Sequence, residues 1–329
     1  MNFWQQLPKP FVALAPMDGV SDTVFRHVIA QAAAPDVWFS EFTNATGWVK
    51  AGERAVGTRL VKTPDEHPLV AQLWGADPDD MAQLAQHCAQ LGYDGLDLNT
   101  GCPDSHAIKT GGGAALIKNP TLTSELVAAL RTAGLPVSIK CRLGYSSTSE
   151  WRGWISHLLK EQPVALTVHL RTKKEMSKVD AHWELMPEIV KLRDELAPST
   201  LIIGNGDVHD RAHAEVLAAR TGIDGVMIGR GIFTNPYAFE LQPRPHSRAE
   251  LLSLLGAQLD WHDRIAAEYG ERNFEPLKRF FKIYVRDFEG ATNLRTQLMD
   301  AHSTAEVRDL LKFYTPTAAN FGTIHTDAR

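Results

Sequence analysis

Val137-Ser138-Ile139-Lys140-Cys141-Arg142-Leu143 puts its apolar residues at every second position and gives the places between them to Ser138, Lys140 and Arg142. A period of two belongs to a strand and sends the two sets to opposite faces. With the apolar set packed on covering helices, Lys140 points into the interior of the sheet, where a charge with no task is costly. The stretch from residue 165 repeats the arrangement: Leu166, Val168 and Leu170 share one face, and Thr167, His169 and Arg171 the other.

The same reading extends outward along the chain. Short β-rich runs recur at residues 11–15, 37–41, 69–74, 95–99, 137–142, 165–169, 201–205 and 225–229, and segments of helical period, such as 79–91, 122–132 and 210–220, separate most of them. Eight βα units in succession predict a closed (β/α)8 TIM barrel. An open doubly wound sheet would carry a glycine-rich fingerprint after its first strand, and Ala15-Pro16-Met17-Asp18-Gly19 does not supply one.

In such a barrel, polar residues gather at the C-terminal ends of the strands: Gln72, Asp97, Asn99, Lys140, His169 and Asn205. Each alone reads as a hydrogen-bonded core residue. Together, at equivalent depth on five strands, they describe a polar, cation-bearing pocket. Asn99-Thr100-Gly101-Cys102-Pro103 follows one of these strands and restrains a thiol between glycine and proline. That thiol is either a small hydrophobe in a tight turn or a group presented to a ligand at fixed geometry.

Gly204-Asn205-Gly206-Asp207 and Gly229-Arg230-Gly231 follow the seventh and eighth runs, where barrels often seat a phosphate on exposed backbone N–H groups. Arg230 adds a charged fork. Amide side chains and a cation at the rim suit an isoalloxazine ring, whose anionic reduced form a cation stabilises. A divalent metal is not expected, because the rim lacks a His-x-x-x-His pair or clustered carboxylates.

The chain has 329 residues and a formal charge of −5, with no apolar run of membrane-spanning length. Its first residues do not read as a secretory signal. Three cysteines, Cys88, Cys102 and Cys141, cannot all pair and show no Cys-x-x-Cys spacing, so a reducing cytoplasm is expected. Binding nucleic acid by net charge alone is disfavoured. Two local stretches, 171–178 and 272–295, each carry an excess of three positive charges.

Taken in order, these elements resemble the tRNA-dihydrouridine synthases. The resemblance spans nearly the whole chain. It rests on the stretch 14–22 (Leu-Ala-Pro-Met-Asp-Gly-Val-Ser-Asp), Gln72, 97–103 (Asp-Leu-Asn-Thr-Gly-Cys-Pro), 111–116, 139–144, 168–172 and the two glycine loops. It implies an FMN enzyme, recharged by NADPH, that saturates the C5–C6 bond of uridine in the tRNA D-loop. Hydride would come from reduced flavin to carbon 6 and a proton from Cys102 to carbon 5. The implied flavin contacts are Pro16, Met17, Asp18, Gln72, Lys140, His169, Asn205, Gly206, Asp207, Gly229 and Arg230. Asn99 and Arg142 fall on the substrate side. Leu170 departs from the small residue the family commonly has after the histidine.

Residues 1–242 are expected to form the barrel and 243–329 the family's small helical domain, which grips tRNA. In 277–288 a single amphipathic helix is expected, with Arg279, Lys282 and Arg286 on an RNA-facing side and Phe281, Val285 and Phe288 on another. A monomer is expected. Two other functions fit less of the chain. An FMN barrel acting on a free pyrimidine leaves the basic C-terminal stretch idle, and a non-catalytic tRNA-binding protein has no need of Cys102 or Lys140.

Overall fold

Backbone pairing follows the alternation of apolar and polar residues. The computed structural model of the chain describes residues 2–313, apart from the side chain of Ala55. The described residues form nine parallel strands: β1 (Phe11–Leu14), β2 (Trp38–Phe39), β3 (Thr43–Asn44), β4 (Leu69–Trp74), β5 (Gly95–Asn99), β6 (Val137–Arg142), β7 (Ala165–His169), β8 (Leu201–Asn205) and β9 (Gly225–Ile228). They run in the order β1-β9-β8-β7-β6-β5-β4-β2, with β3 a second partner of β4. A bridge between Ala13 and Val37, with the Leu14 N–H donating to the Val37 carbonyl at 3.1 Å, closes the ring into a barrel.

Five strands match the expected runs to the residue. The second differs, because residues 37–41 do not form one continuous strand. The Ser40 hydroxyl accepts the Gln72 N–H at 3.1 Å and so takes the place of a ladder carbonyl, and pairing resumes only at β3.

The barrel interior is apolar at one end and polar at the other. Trp4, Phe11, Ala13, Ala15, Val37, Phe39, Val70, Ala165, Ile203 and Met227 form one buried cluster from alternate positions of the strands and the plug residue Trp4. Gly225 belongs to this packing, because a Cβ there would stand 2.5 Å from the Phe11 ring. Above the cluster, the next inward positions are Gln72, Asn99, Lys140, His169 and Asn205. The register sets Asn99 beside Lys140, Arg142 beside His169, and His169 beside Asn205.

By contacts the described residues fall into two units. One unit holds 2–23 and 35–230, and the other holds 24–34 with the described residues from 231 to 313. Within the second unit a long helix, Arg248–Tyr269, starts at a Ser247/Glu250 capping box. Trp261 on it stacks on His27 at 3.7 Å between ring centroids. The helix expected over 277–288 is not continuous: a 3-10 turn, Glu275–Phe280, leads into one α-turn, Phe281–Tyr284. Val285 then leaves helical geometry and Asp287 has φ +59°. Phe280, Phe281, Ile283, Tyr284 and Val285 are all buried, which a helix with one apolar face cannot achieve. Arg295 donates to the Val285 carbonyl at 2.7 Å and fixes the break.

Candidate active site

A one-way chain of amides organises the loop that bears Cys102. Asn99 Oδ1 accepts the N–H groups of Gly101 at 3.0 Å and Cys102 at 2.9 Å. Asn99 Nδ2 therefore donates onward, to Gln72 Oε1 at 2.9 Å, and Gln72 Nε2 donates to Asp97 Oδ2 at 2.7 Å. Ser138 Oγ donates to Asp97 Oδ1 at 2.6 Å. Backbone N–H groups only donate and a carboxylate only accepts, so the two ends of the chain fix the orientation of both amides. Burial pushes the Asp97 carboxyl up to about 6, against the pull of its hydrogen bonds to Ser138 and Gln72 and of the Lys140 charge.

Next to this chain stands a group of cations. Lys140 Nζ donates to Asn205 Oδ1 at 3.2 Å, and Asn205 Nδ2 donates to the Met227 carbonyl at 2.8 Å. Burial, then the nearby Arg142 charge, brings the Lys140 ammonium down to about 8, while Asp97 acts in the opposite sense. Burial and the cations Arg142, Lys140, Arg171 and Arg230 hold His169 well below the usual histidine range, so it is neutral at pH 7. Arg142 ties the loops after β5 and β7 together, donating to the carbonyls of Gly101 (2.8 Å), Thr172 (3.1 Å) and Met176 (2.9 Å). Asp207 stands between two guanidiniums: Arg171 pairs with one carboxylate oxygen and Arg230 lies 3.4 Å from the other. Among the described residues, Lys140, Arg142, Arg171 and Arg230 stand against Asp97, Asp207 and, on the Arg142 side, Glu175, and the balance is cationic.

Cys102 is half-buried, and burial raises its thiol above the ordinary value. A hydrogen bond from the Asp104 backbone and the charge of Arg142 oppose that rise, and the charges of Asp104 and Asp18 add to it. The thiol is therefore protonated at neutral pH. Asp18 and Asp104 also line a cavity of about 490 Å³ with Phe42, Asn44, Val56, Arg59 and Trp74. That volume suits a nucleotide-sized ligand.

The expected site residues fall into two groups. Gln72, Asn99, Cys102, Lys140, Arg142, His169, Asn205, Gly206, Asp207, Gly229 and Arg230 lie at the C-terminal ends of β4 to β9. Pro16, Met17 and Asp18 follow β1, with Pro16 buried and Asp18 paired to Arg59 at 3.0 Å. Gln72 has no exposed surface. Both polar atoms of the Asn99 amide are committed to protein partners. Arg279, Lys282 and Arg286 belong to the helical unit. The first two are not buried, whereas Arg286 sits beside Asp287 and lines a separate cavity of about 500 Å³ with Tyr237, Arg244 and His246.

Sequence reading overlooked Glu41, Arg59 and the pairing of Arg171 with Asp207. Glu41 accepts the Gly19 N–H, and burial together with the Asp22 charge pushes its carboxyl up to about 7. Its signal was present: residue 41 continues the inward series of Val37 and Phe39. Among the described residues, no group of three or more His, Cys, Asp or Glu is placed to hold a metal ion, and no helix is long and apolar enough to cross a membrane.

A closed parallel barrel whose strand ends gather cations, glycine loops and a protonated thiol defines an α/β-barrel enzyme with a site for an anionic ligand. The model of the family described as dihydrouridine synthase (Dus) matches residues 13–320. A probable tRNA-dihydrouridine synthase 2 of Bacillus subtilis (strain 168) is 52% identical over 311 residues, covering 94% of this chain and 95% of that one. A probable tRNA-dihydrouridine synthase of Staphylococcus aureus (strain Mu50) is 50% identical over 94% of each chain. Among solved structures, a histamine dehydrogenase from Rhizobium sp. 4-9 matches with a TM-score of 0.47 and 13% identity, over 69% of this chain and 44% of that one. The chain belongs to the dihydrouridine synthase family.

Proposed function

We propose that the protein reduces uridines of the tRNA D-loop to 5,6-dihydrouridine with FMN as cofactor and NADPH as reductant, Cys102 donating the proton. The observation that carries this reading is the placement of Cys102: a half-buried thiol at the rim, on a turn clamped by Asn99 and by Arg142, which burial keeps protonated. A nucleophile would need the opposite, a depressed thiol pKa.

The residues fit an anionic flavin. Lys140 has three N–H donors and uses one on Asn205. The Thr167 hydroxyl, beside Lys140 in register, is buried with no partner among the described residues. Gly229 is only half-buried and leaves backbone open next to the exposed Arg230 fork, as a phosphate needs, while the buried Gly206 (φ +127°) makes the turn that carries Asp207. Lys140 and His169 would hold the ring, with Gln72 and Asn205 bracing them from behind, and Gly206, Asp207, Gly229 and Arg230 would hold the phosphate end, with Pro16, Met17 and Asp18 on the β1 side. When bound and reduced, flavin supplies hydride to carbon 6 of uracil.

Cys102 delivers the proton that completes saturation at carbon 5 and is reprotonated from solvent. Asn99 fixes where its sulfur stands. Arg142 holds the Gly101 carbonyl and so keeps the turn closed. The uracil reaches the pocket by leaving its stack, and Phe42 and Trp74 offer apolar surface in the adjoining cavity. Arg279, Lys282 and Arg286 are proposed contacts for RNA on the helical unit. A cytoplasmic monomer suits this role.

The test maps dihydrouridine in tRNA from cells with and without the gene, and from cells carrying Cys102→Ala. The expected outcome is loss of one or more D-loop sites in the deletion and in the variant, with purified Cys102→Ala still yellow and still bleached by NADPH. Retention of every site in the deletion overturns the tRNA assignment. Full activity in the variant removes Cys102 from the chemistry.

A further inference from the structure

We propose that Lys118, Tyr145 and Lys173 form a phosphate-docking site for RNA backbone on the barrel rim, beside the loop that carries Cys102. It rests on the tRNA reading above and names a surface of the barrel unit that grips the substrate. Lys118 Nζ lies 3.7 Å from the centroid of the Tyr145 ring and Lys173 Nζ lies 5.1 Å from it. Two ammoniums drawn to one ring repel each other, and each contact with the ring is worth only about 0.5–1 kcal/mol at an exposed site. Among the described residues, no carboxylate lies within ion-pair distance of either lysine. Glu175, the one acid in the neighbouring basic stretch, is already occupied by His182 at 3.0 Å and the Thr172 N–H at 2.7 Å. The cluster is therefore a pair of unneutralised cations that an incoming anion would relieve.

Its backbone is held firmly. Glu150 accepts the N–H groups of Tyr145 at 2.7 Å, Ser146 at 3.1 Å and Ser147 at 3.0 Å. Lys173 N–H donates to the Gly144 carbonyl at 2.8 Å and Lys174 N–H to the Tyr145 carbonyl at 2.9 Å, stitching the β7 loop to the β6 loop. Lys118 ends the 3-10 turn Gly113–Lys118, and near the start of that turn the Ala114 N–H donates to the Cys102 carbonyl at 2.9 Å. Ala114 to Lys118 spans about 8 Å at the ~2 Å rise of a 3-10 helix. That turn links the Cys102 loop to Lys118 along the rim, on the scale of neighbouring nucleotides flanking the extruded uridine. Lys174 and Lys178 continue the charge along the same loop. A phosphodiester fits better than a peptide carboxylate, because the neighbouring reaction centre serves a polyanion and the cations follow one another along the rim.

The experiment measures binding of an unmodified tRNA transcript to the purified full-length protein across a potassium chloride series. Lys118→Ala/Lys173→Ala is compared with wild type and with Lys160→Ala, an exposed lysine on the helix Trp151–Lys160. The double variant should weaken binding about tenfold at low salt and reduce the salt slope by about 1 to 2. The two lysines replaced by arginine should keep the slope. KM for tRNA should rise while kcat at saturation and the melting midpoint stay as in wild type. Wild-type binding with an unchanged slope and affinity in the double variant overturns the docking site alone. No tRNA affinity in wild type overturns the tRNA reading, and the docking site with it.

Discussion

Asn99 shows how a single side chain carries both structure and chemistry. Its type and position at the end of β5 marked it as a rim residue, but its two amide atoms are spent within the protein, one on the Cys102 turn and one on Gln72. Asn99→Ala leaves the N–H groups of Gly101 and Cys102 without their acceptor, at a cost of about 1–3 kcal/mol. The expected result is a lower melting midpoint and a kcat reduced on the order of 10²-fold by misplacement of the sulfur, with flavin affinity retained. Titration with FMN and single-turnover reduction of tRNA measure the two effects separately. A variant that loses flavin and keeps its turnover rate would assign Asn99 to the cofactor instead.

At the scale of the element, strands were legible where apolar and polar residues alternate and also where a short apolar run is bounded by turn residues, as in β4 and β8. In β6 and β7 apolar and polar residues alternate, and both bounds were recovered to the residue. Residues 37–41 are also β-rich, but a serine hydroxyl intercepts a ladder donor there, and no pattern of hydrophobicity reports a side-chain hydrogen bond to a distant strand. Residues 277–288 misled for a related reason. Their charges repeat at helical spacing, yet apolar residues at 280, 281, 283, 284 and 285 are all buried, and an arginine ten residues on secures the break. The barrel wall itself gives a sharper test. Gly225 on β9 makes room for the Phe11 ring of β1, so Gly225→Ala forces overlap inside a closed core. It should destabilise the protein by about 1–3 kcal/mol, seen as a lower midpoint in urea at an unchanged m-value. Gly225→Ala with Phe11→Leu should recover part of the loss, and the absence of any loss in the single variant would contradict the packing.

For the molecule as a whole, stability depends on pH through groups buried in the rim. Glu41, 4% exposed, keeps its proton up to about pH 7, whereas an unfolded glutamate releases it near 4.5. Between those values the native state binds the extra proton, so stability falls as pH rises through the window. Glutamine at 41 has no proton to lose and still accepts the Gly19 N–H. Glu41→Gln should match wild type near pH 4 and exceed it at pH 8 by on the order of 3 kcal/mol, since each pH unit between the two values is worth about 1.4 kcal/mol. Urea midpoints at the two pH values check this, and a constant difference between the proteins would rule out the titration of Glu41 as its source.

The order of eight βα units, the inward places of Lys140 and His169 and the Asn-x-Gly-Cys-Pro turn were all determined by the sequence alone. They depend on local periodicity and on residue types that turns and strands require. Only the tertiary structure decided which donors and acceptors meet: that Asn99 leads through Gln72 to Asp97, that Glu41 holds Gly19, that Asp207 stands between two arginines, and that Lys118 and Lys173 share one tyrosine. These partners lie on different strands and loops. Barrel closure brings them together, and hydrogen-bond direction and charge balance then select among pairings to which a linear pattern is blind.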